Sequence, residues 1–276
     1  MNKNEFGDLY IVATPIGNLD DITLRAIKIL NMVDIIAAED TRHTLKLLNH
    51  LEISKPLISY HRHNEEVKSE ELINKLLEGK NIAVVTDAGT PGISDPGEEI
   101  VKVAIKNNIE IIPIPGACAA INALIISGLS TKEFVFLGFL PLNKKLRNQK
   151  LEEIKCEKKT IIIYEAPHKL KTTLEDLKDI LEDREVVIVK ELTKIYEKVI
   201  RGTVDEVIEN SENPKGEYII LIEGSKKENE ENKLIELSLE EHYKFYENQG
   251  LNKKKIIKKI AKDRNVDKNE IYMKFI

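Results

Sequence analysis

The segment from Val85 to Gly97, which reads VTDAGTPGISDPG, has the composition of a loop that holds a small ligand. It contains three glycines and two prolines, follows the apolar run Ile82–Val85 and precedes a helix predicted from about Glu98. Glycine lets the backbone approach a ligand closely, and proline stiffens the loop that does so. Open α/β sheets bind small molecules in loops at the carboxyl ends of their strands. Because an ordinary connection between a strand and a helix needs only a single glycine, we expect ligand binding here.

Two further segments follow predicted strands and would reach the same edge of a sheet. Residues 13–23, ATPIGNLDDIT, form a glycine turn without the GxGxxG or GxxxxGK[ST] pattern, so neither a dinucleotide site nor a P-loop is predicted. Taken alone, this turn is equally well explained as an ordinary connection. Residues 38–42, AEDTR, combine two acids, a hydroxyl and a guanidinium. Helix capping would account for Asp40 but leaves Glu39 and Arg42 without a structural role.

Two histidines alternate in residues 59–65, SYHRHNE, which also follow a predicted strand. On an extended strand, His61 and His63 would point to the same side. A metal site would need further ligands close by, and none is evident, so a hydrogen-bonded or surface pair is the commoner explanation. The position after a strand keeps acid–base chemistry or substrate contact open as the alternative.

Small side chains dominate residues 113–120, PIPGACAA, where a ligand could lie against the start of a helix. Exposed amides at such a helix start could bind a carboxylate. Two later stretches also carry groups that could contact a ligand: residues 164–169, YEAPHK, and residues 190–197, KELTKIYE.

Alternating strand and helix signals predict the scaffold that positions these segments. In the first half, strands are predicted at Leu9–Ala13, Val33–Ala38, Leu57–Tyr60, Ile82–Val85 and Ile109–Ile112. Helices between them are typical of a mostly parallel sheet covered on both faces. After a helix at Ala117–Ile126, strands are predicted at Phe134–Leu137, Thr160–Tyr164, Val186–Lys190, Glu197–Arg201 and Tyr218–Ile222. Short turns between the later strands predict that this second sheet is mixed.

Charge is distributed unevenly along the 276 residues. The net charge is −5, but residues 251–276 hold nine Lys and Arg against three acids, which makes this segment +6. A basic end on an acidic body predicts a polyanionic partner, with a solvated helix face as the alternative. The polar stretch at 225–233 is predicted to be a linker. Three helices predicted after it, at 236–247, 253–263 and 268–275, resemble a helix-turn-helix with its turn at 264–266.

Several other classes of protein are not indicated. Cys118 and Cys156 lie in unrelated contexts without a CxxC or His/Cys cluster, so neither a disulfide framework nor a metal site is predicted. Residues 1–8 are polar, which argues against a signal peptide, and no apolar run approaches the length of a membrane span. We therefore expect a cytoplasmic protein with no membrane association.

Taken in order, these segments resemble those of the ribosomal RNA small-subunit methyltransferase I family. The specific parts are residues 39–42, 87–97 and 165–168, and the resemblance runs from about Leu9 to Gly224. It implies an α/β fold of the tetrapyrrole methylase type, with two α/β domains and a cleft between them for S-adenosylmethionine (SAM). The basic end resembles the small helical domain that closes many members. The implied domains are 1–114, 115–225 and 234–276, with a linker at 226–233.

The resemblance also implies a reaction and its partners. Members transfer a methyl group from SAM to the 2′-hydroxyl of a cytidine in the decoding region of 16S rRNA, and no metal is required. The expected partners are this RNA within the 30S subunit and a second copy of the chain in a homodimer. The residues implied to hold SAM are Pro15, Gly17, Asp87, Ala88, Gly89, Thr90, Pro91, Pro115, Gly116, Ala117, Cys118, Ala119, Tyr164, Ala166 and Pro167. The residues expected on the RNA side, among which a proton acceptor is sought, are Glu39, Asp40, Arg42, His61 and Asn64.

Two segments depart from the family's pattern, and the first of them concerns the SAM site. The usual Pro-Gly-Pro-Ser-Ala is replaced by PGACA at residues 115–119, and Cys118 hydrogen-bonds less well than serine. Lys190 stands where arginine is common, and a lysine cannot supply a bidentate contact if one is needed there. Two other functions stay open on the sequence. One is a C-methyltransferase of a true tetrapyrrole, on the corrinoid or sirohaem pathway, which shares the fold and the cofactor. The other is a non-enzymatic protein that binds RNA or a ligand.

Overall fold

The first sheet is built from five short apolar strands that all run parallel. They are β1 (Leu9–Val12), β2 (Ile35–Ala38), β3 (Leu57–Ser59), β4 (Ile82–Val85) and β5 (Ile111–Ile114). Their order across the sheet is β3-β2-β4-β1-β5. The parallel sheet expected for the first half of the chain is therefore confirmed. Parallel strands leave their following loops at one edge, so the segments after β1, β2, β3 and β4 all start there.

Strand β5 begins two residues later than its predicted start at Ile109. The backbone N–H of Ile109 donates to the carbonyl of Ala104, which closes the preceding helix, and the strand pairing begins with Leu9 opposite Ile111. Pro113 lies inside the strand, opposite Ile11. A proline is tolerated there because β5 is an edge strand, where a missing N–H need not break a ladder.

Helices cover both faces of this sheet, as the alternation of signals predicts. They are α1 (Leu24–Met32), α2 (Thr41–His50), α3 (Glu65–Leu77) and α4 (Glu98–Lys106). On one face Ala26 and Leu30 of α1 pack with Val12 and Ile36. The opposite face of the sheet packs against buried residues of α3 and α4. Burial on both sides explains why these strands are continuous apolar runs.

The second sheet is mixed, as predicted. Its strands are β6 (Phe134–Phe139), β7 (Thr160–Glu165), β8 (Val186–Lys190), β9 (Lys198–Gly202) and β10 (Tyr218–Ile222). They lie in the order β6-β7-β10-β8-β9. Strands β6 and β7 are parallel, whereas β10 pairs antiparallel with β7 and β8, and β9 pairs antiparallel with β8.

Four helices flank the second sheet: α5 (Ala119–Ser127), α6 (Lys144–Cys156), α7 (Leu170–Leu181) and α8 (Val204–Glu209). Helix α5 packs through Ala123 and Leu124 against Ile162 and Val187, and the other helices share a separate core. Although a helix start was predicted at Ala117, α5 begins at Ala119 because Cys118 keeps an extended backbone as its N-cap. The segment before α5 therefore carries the chain from the edge of the first sheet to a face of the second.

The computed structural model describes residues 6–211, 216–226, 234, 237–264 and 266–275. The chain divides into two compact units, Met1–Gly224 with both sheets and Ser225–Ile276. The predicted boundary at 114/115 falls between the strands of the two sheets, and the domain limits themselves remain a prediction. Apart from Lys226, the predicted linker 226–233 lies outside the described residues, as do residues 235, 236 and 265 of the predicted C-terminal helices and turn.

Three helices among the described residues of the smaller unit match the prediction closely: α9 (Leu239–Asn248), α10 (Lys253–Asp263) and α11 (Lys268–Met273). Ile256, Ile257 and Ile260 are buried with Ile271 and Tyr246. The lysines of α10 are all exposed. The helix is amphipathic because its isoleucines and lysines occupy opposite faces. Among the described residues of the whole chain, no helix is both long and apolar enough to cross a membrane.

A fully buried histidine links two of these helices. His242 Nε2 lies 3.1 Å from a carboxylate oxygen of Asp263, which also accepts a hydrogen bond from the Tyr246 hydroxyl at 2.6 Å. On the other side of the ring, Arg264 Nε donates to His242 Nδ1 at 3.2 Å. Nδ1 is thus an acceptor, and a proton there would displace the arginine. Burial lowers the pKa of His242 below its ordinary 6.5.

This arrangement predicts that acid destabilises the smaller unit. Because the pKa of His242 is lower in the folded state, the unfolded state binds more protons as the pH falls below about 6.5. The free energy of unfolding should then fall by up to ~1.4 kcal/mol per pH unit. Hydrogen exchange of residues 239–263 at pH 7.5 and 5.5, corrected for intrinsic rates, measures the change. The His242→Gln variant should lose this dependence; an equal dependence in both proteins would contradict the assignment.

Candidate active site

The loops at the carboxyl edge of the first sheet and a wall of the second sheet enclose a cleft of about 390 Å³. This volume is within the range of small-molecule sites, ~300–1,000 Å³. The side of the first sheet is formed by Ile16, Glu39, Asp87, Ala88, Gly89, Thr90, Ile93, Ser94 and Asp95. The side of α5 and the second sheet is formed by Cys118, Ala119, Phe139, Tyr164, Glu165, Ala166, Pro167, Val189, Leu192, Glu217, Tyr218 and Ile219.

The loop after β4 is held by hydrogen bonds to the other loops at this edge of the sheet. Gly89 and Thr14 exchange backbone hydrogen bonds of 2.9 and 3.1 Å. Gly89 has φ +84°, a left-handed conformation that favours glycine. The Thr90 hydroxyl donates to the Ala117 carbonyl at 3.0 Å, and the Asp40 backbone N–H donates to Asp87 Oδ1 at 3.0 Å. The segments after β1, β2, β4 and β5 therefore meet, as the sequence predicts.

The second sheet supplies an aromatic wall. Tyr164 packs edge to face with Phe136 and Phe139, with ring centroids 4.9 and 5.8 Å apart. Its hydroxyl accepts a hydrogen bond of 3.0 Å from the backbone N–H of Ala120, so β7 is tied to the first turn of α5. This bond fixes the width of the cleft between Tyr164 and the start of α5.

Nine of the fifteen residues expected to hold SAM line this cleft: Asp87, Ala88, Gly89, Thr90, Cys118, Ala119, Tyr164, Ala166 and Pro167. Six do not: Pro15, Gly17, Pro91, Pro115, Gly116 and Ala117. Two of these six are packed tightly behind it. A Cβ on Gly17 would lie 2.5 Å from the Lys194 side chain, and one on Gly116 would lie 2.9 Å from Ala13 Cβ. These glycines permit close packing of the loops that carry the lining.

Of the residues expected on the RNA side, Glu39 alone lines the cleft. The Asp40 carboxylate caps α2 through the Arg42 backbone N–H at 2.8 Å and pairs with the Arg42 guanidinium at 2.7 Å. The hydrogen bonds from Arg42 hold the pKa of Asp40 well below its usual range. Such a carboxylate is a weak proton acceptor, so the capping explanation accounts for Asp40. The Arg42 side chain is 89% exposed.

Asn64 and His61 stabilise a turn outside the cleft lining. The Asn64 side chain accepts from the His61 backbone N–H at 2.8 Å and donates to the Ser59 carbonyl at 3.2 Å. Nδ1 of His61 is buried and has no hydrogen-bond partner within the described part of the chain. Among those same residues, no three His, Cys, Asp or Glu side chains are placed to hold a metal ion.

Several acidic side chains make the cleft negative. Two of them, Asp95 and Glu217, were not among the site residues predicted from the sequence. Asp95 and Glu217 line the cleft together with Glu39 and Asp87. Burial, followed by the charge of Asp87, raises the pKa of Glu39. Burial, followed by the charge of Glu39, raises the pKa of Asp95 to about 6. Asp95 lies within the loop that the sequence does highlight, but loop composition does not reveal which side chains face inward. Glu217 belongs to no motif that could have indicated it.

The side chains that line the cleft fit SAM. Carboxylates suit a ligand that carries a positive sulfonium and an ammonium group. Apolar side chains that sequence reasoning missed, such as Ile16, Leu192 and Ile219, offer a surface for a purine. The departure at Lys190 lies beside the cleft, because its ammonium sits 5.8 Å from the centre of the Tyr218 ring.

Comparison with known proteins identifies the family. Residues 8–208 match the model described as Tetrapyrrole (Corrin/Porphyrin) Methylases. Two relatives are named Ribosomal RNA small subunit methyltransferase I. The protein from Halalkalibacterium halodurans is 52% identical over 98% of this chain and 95% of its own length. That from Bacillus subtilis is 50% identical over 98% of this chain and 94% of its own length.

Solved structures show the same fold at low identity. A cobalt precorrin-4 methyltransferase has TM-score 0.57 and 21% identity, and the match covers 78% of this chain and 94% of that one. A uroporphyrin-III C-methyltransferase from Thermus thermophilus, complexed with S-adenosyl homocysteine, has TM-score 0.57 and 15% identity. That match covers 79% of this chain and 97% of the Thermus chain. Tetrapyrrole methylases are thus distant relatives in structure, whereas the ribosomal RNA enzymes are similar along almost the whole sequence. The chain belongs to the ribosomal RNA small subunit methyltransferase I family, on the tetrapyrrole methylase fold, and is a SAM-dependent methyltransferase.

Proposed function

We propose that this protein transfers a methyl group from SAM to the ribose 2′-hydroxyl of a cytidine in the decoding region of 16S rRNA. The observation that carries the proposal is identity of 52% over 98% of the chain with a ribosomal RNA small subunit methyltransferase I. That match extends beyond the 78–81% of the chain that the tetrapyrrole and diphthine enzymes of this fold cover. It therefore favours an RNA substrate over a tetrapyrrole.

The cleft supplies binding and orientation. SAM would be held by the loop after β4 at Asp87–Thr90, by Cys118 and Ala119, and by Tyr164, Ala166 and Pro167. When bound, it supplies a methyl group on a positively charged sulfur. The carboxylate of Asp87 would stabilise that charge, and the apolar wall would exclude water. Methyl transfer is an in-line displacement, so most of the gain comes from holding the reacting atoms in alignment.

The RNA would approach from the side of Glu39. Glu39 is the RNA-side candidate within the cleft, and Arg42 has an exposed guanidinium that suits a phosphate. Asp40 would act through Arg42, whereas His61 and Asn64 would shape the turn next to this entrance. We further propose that the substrate is presented within the 30S subunit, in the cytoplasm, and that the enzyme works as a homodimer.

A methyl-transfer assay tests this function. SAM labelled in the methyl group is offered with 30S subunits, with free 16S rRNA and, as the alternative acceptor, with uroporphyrinogen III. We expect label in the 16S rRNA alone, at one cytidine, when 2′-O-methyl positions are mapped. Label in uroporphyrinogen III would favour the tetrapyrrole alternative. Calorimetry that detects no binding of SAM would favour a non-enzymatic binding protein.

A further inference from the structure

We propose that the carboxylate of Asp95 accepts the proton of the ribose 2′-hydroxyl during methyl transfer. This assignment rests on the proposed function and names a residue for a step that the function requires. A ribose hydroxyl is a weak acid, so a positioned proton acceptor speeds its reaction by ~100- to 10,000-fold.

The end of the loop after β4 is fixed from two sides, which places Asp95 in the lining. Arg62, from the turn after β3, donates a hydrogen bond to the carbonyl of Ser94. On the other side, a Cβ on Gly138 of β6 would lie 3.1 Å from Ser94 Oγ, so β6 packs directly against this residue. Ser94 itself has φ +67°, a conformation that a serine keeps only where its surroundings enforce it. The neighbouring Asp95 is thereby held at the cleft rather than turned to solvent.

Most other carboxylates of the cleft are already engaged. Asp87 accepts a hydrogen bond from the Asp40 backbone at 3.0 Å. Glu165 is buried and accepts from the Ala166 N–H and the Thr173 hydroxyl at 2.8 and 2.6 Å. Glu217 lies 3.4 Å from the Lys194 ammonium and is largely exposed.

Asp95 has no hydrogen-bond or ion-pair partner among the residues that the structure describes, so its oxygens are available to a substrate. Glu39, which also lines the cleft and whose pKa burial likewise raises, is the competing candidate. Replacing each carboxylate with its isosteric amide, in Asp95→Asn and Glu39→Gln, separates the two candidates by experiment.

The charges around Asp95 suit a proton acceptor at neutral pH. The groups that face it are the acids Glu39, Asp87 and Glu217, the phenol of Tyr164, and the cation Arg62. Burial and then the charge of Glu39 raise the pKa of Asp95 to about 6, while Arg62 opposes the rise. At pH 7 the group is mostly ionised, yet it is a stronger base than an ordinary carboxylate.

The ribose oxygen forms a bond to the methyl carbon while the bond between that carbon and sulfur breaks, and the electron pair of the broken bond stays on sulfur. The hydroxyl proton moves to an oxygen of Asp95, which loses it to water after the product leaves. No oxidant, reductant or metal takes part.

The decisive experiment is single-turnover methylation of 30S subunits at saturating SAM, as a function of pH. We expect the wild-type rate to fall below pH ~6, and Asp95→Asn to lower the rate at pH 7.5 by ~100-fold or more and to abolish that acid limb. Asp95→Glu should restore part of the rate. Glu98→Gln, which removes an exposed carboxylate paired with Lys102 outside the cleft lining, is the matched control and should resemble the wild type.

Two readouts do not depend on turnover. Calorimetry should give Asp95→Asn a Kd for SAM within about threefold of the wild type. The carbon-13 signal of the Asp95 carboxyl, identified by its loss in Asp95→Asn, should titrate near pH 6 in the protein without ligand.

Three results would overturn the assignment while leaving the proposed function intact. One is normal single-turnover rates for Asp95→Asn. Another is an acid limb that disappears in Glu39→Gln and persists in Asp95→Asn. The third is a loss confined to SAM affinity, which would make Asp95 part of the donor site. Absence of RNA methylation by the wild-type protein is a different outcome, because it would reject the proposed function and the assignment together.

Discussion

Replacing Ala119 with tryptophan should abolish binding of SAM and, with it, methyl transfer. Ala119 is the first residue of α5 and lines the cleft opposite the aromatic wall. Tyr164 cannot move away easily, because its hydroxyl is bonded to the backbone of Ala120 and its ring packs on Phe136. An indole at position 119 therefore occupies space that the ligand needs. We expect the Kd for SAM to rise by at least ~100-fold, equivalent to ~2.7 kcal/mol.

The matched control is Ile121→Trp on the same helix. Ile121 is 42% exposed and does not line the cleft, so tryptophan there adds the same bulk without blocking the site. Calorimetry with SAM and with S-adenosyl homocysteine measures both variants, and thermal unfolding reports whether each is folded. Normal SAM binding by a folded Ala119→Trp protein would mean that the cleft is not the donor site.

Removing four charges from helix α10 should weaken RNA binding strongly and flatten its salt dependence. Lys254, Lys258 and Lys262 are spaced by four residues and, with Lys255, share one exposed face of the helix. No hydrogen bond or ion pair within the described part of the chain engages these four. Two neighbours are different, since Lys253 donates to the Phe275 carbonyl and Lys259 lies over the Tyr246 ring.

A row of such lysines can displace counterions from phosphates, and each contact adds to the salt dependence. If all four lysines contact RNA, their replacement by glutamine should lower the affinity for RNA by ~10- to 1,000-fold. The steepness of the plot of log association constant against log salt concentration should fall by ~3. Filter binding to 16S rRNA between 50 and 300 mM salt measures both quantities. SAM binding should be unchanged, because the donor cleft lies entirely within residues 1–224.

The control carries the same change of charge elsewhere. Lys28, Lys80, Lys106 and Lys155 are exposed residues of the larger unit, and none lines the cleft. Their replacement by glutamine should have a much smaller effect on RNA affinity. Equal losses in the two quadruple variants would show that only net charge matters, and the basic face of α10 would then be a solvated helix surface.

The sequence predicted the scaffold well because the scaffold depends on local patterns. Short apolar runs marked the boundaries of all ten strands to within two residues, and β5 as a whole was placed two residues too early. The start of α5 was likewise set two residues too early. At β5 a local bond from the Ile109 N–H to the Ala104 carbonyl extends the helix end, whereas before α5 the Ala117 carbonyl accepts a hydrogen bond from Thr90, 27 residues away.

The amino-acid sequence by itself determined the family, the two kinds of sheet, the loops that build the cleft and the basic character of the last helices. These follow from residue types at short spacing, which local sterics and burial translate directly into structure. Only the tertiary structure decided which side chains of those loops face the ligand. Asp95 is placed by Arg62 and Gly138, residues 33 and 43 positions away, whereas Asp40, two residues from Arg42, is occupied by a local ion pair. In helices and strands the side-chain direction follows a regular period along the sequence, but in an irregular loop it does not. There it is set by contacts between segments that meet only when the chain folds.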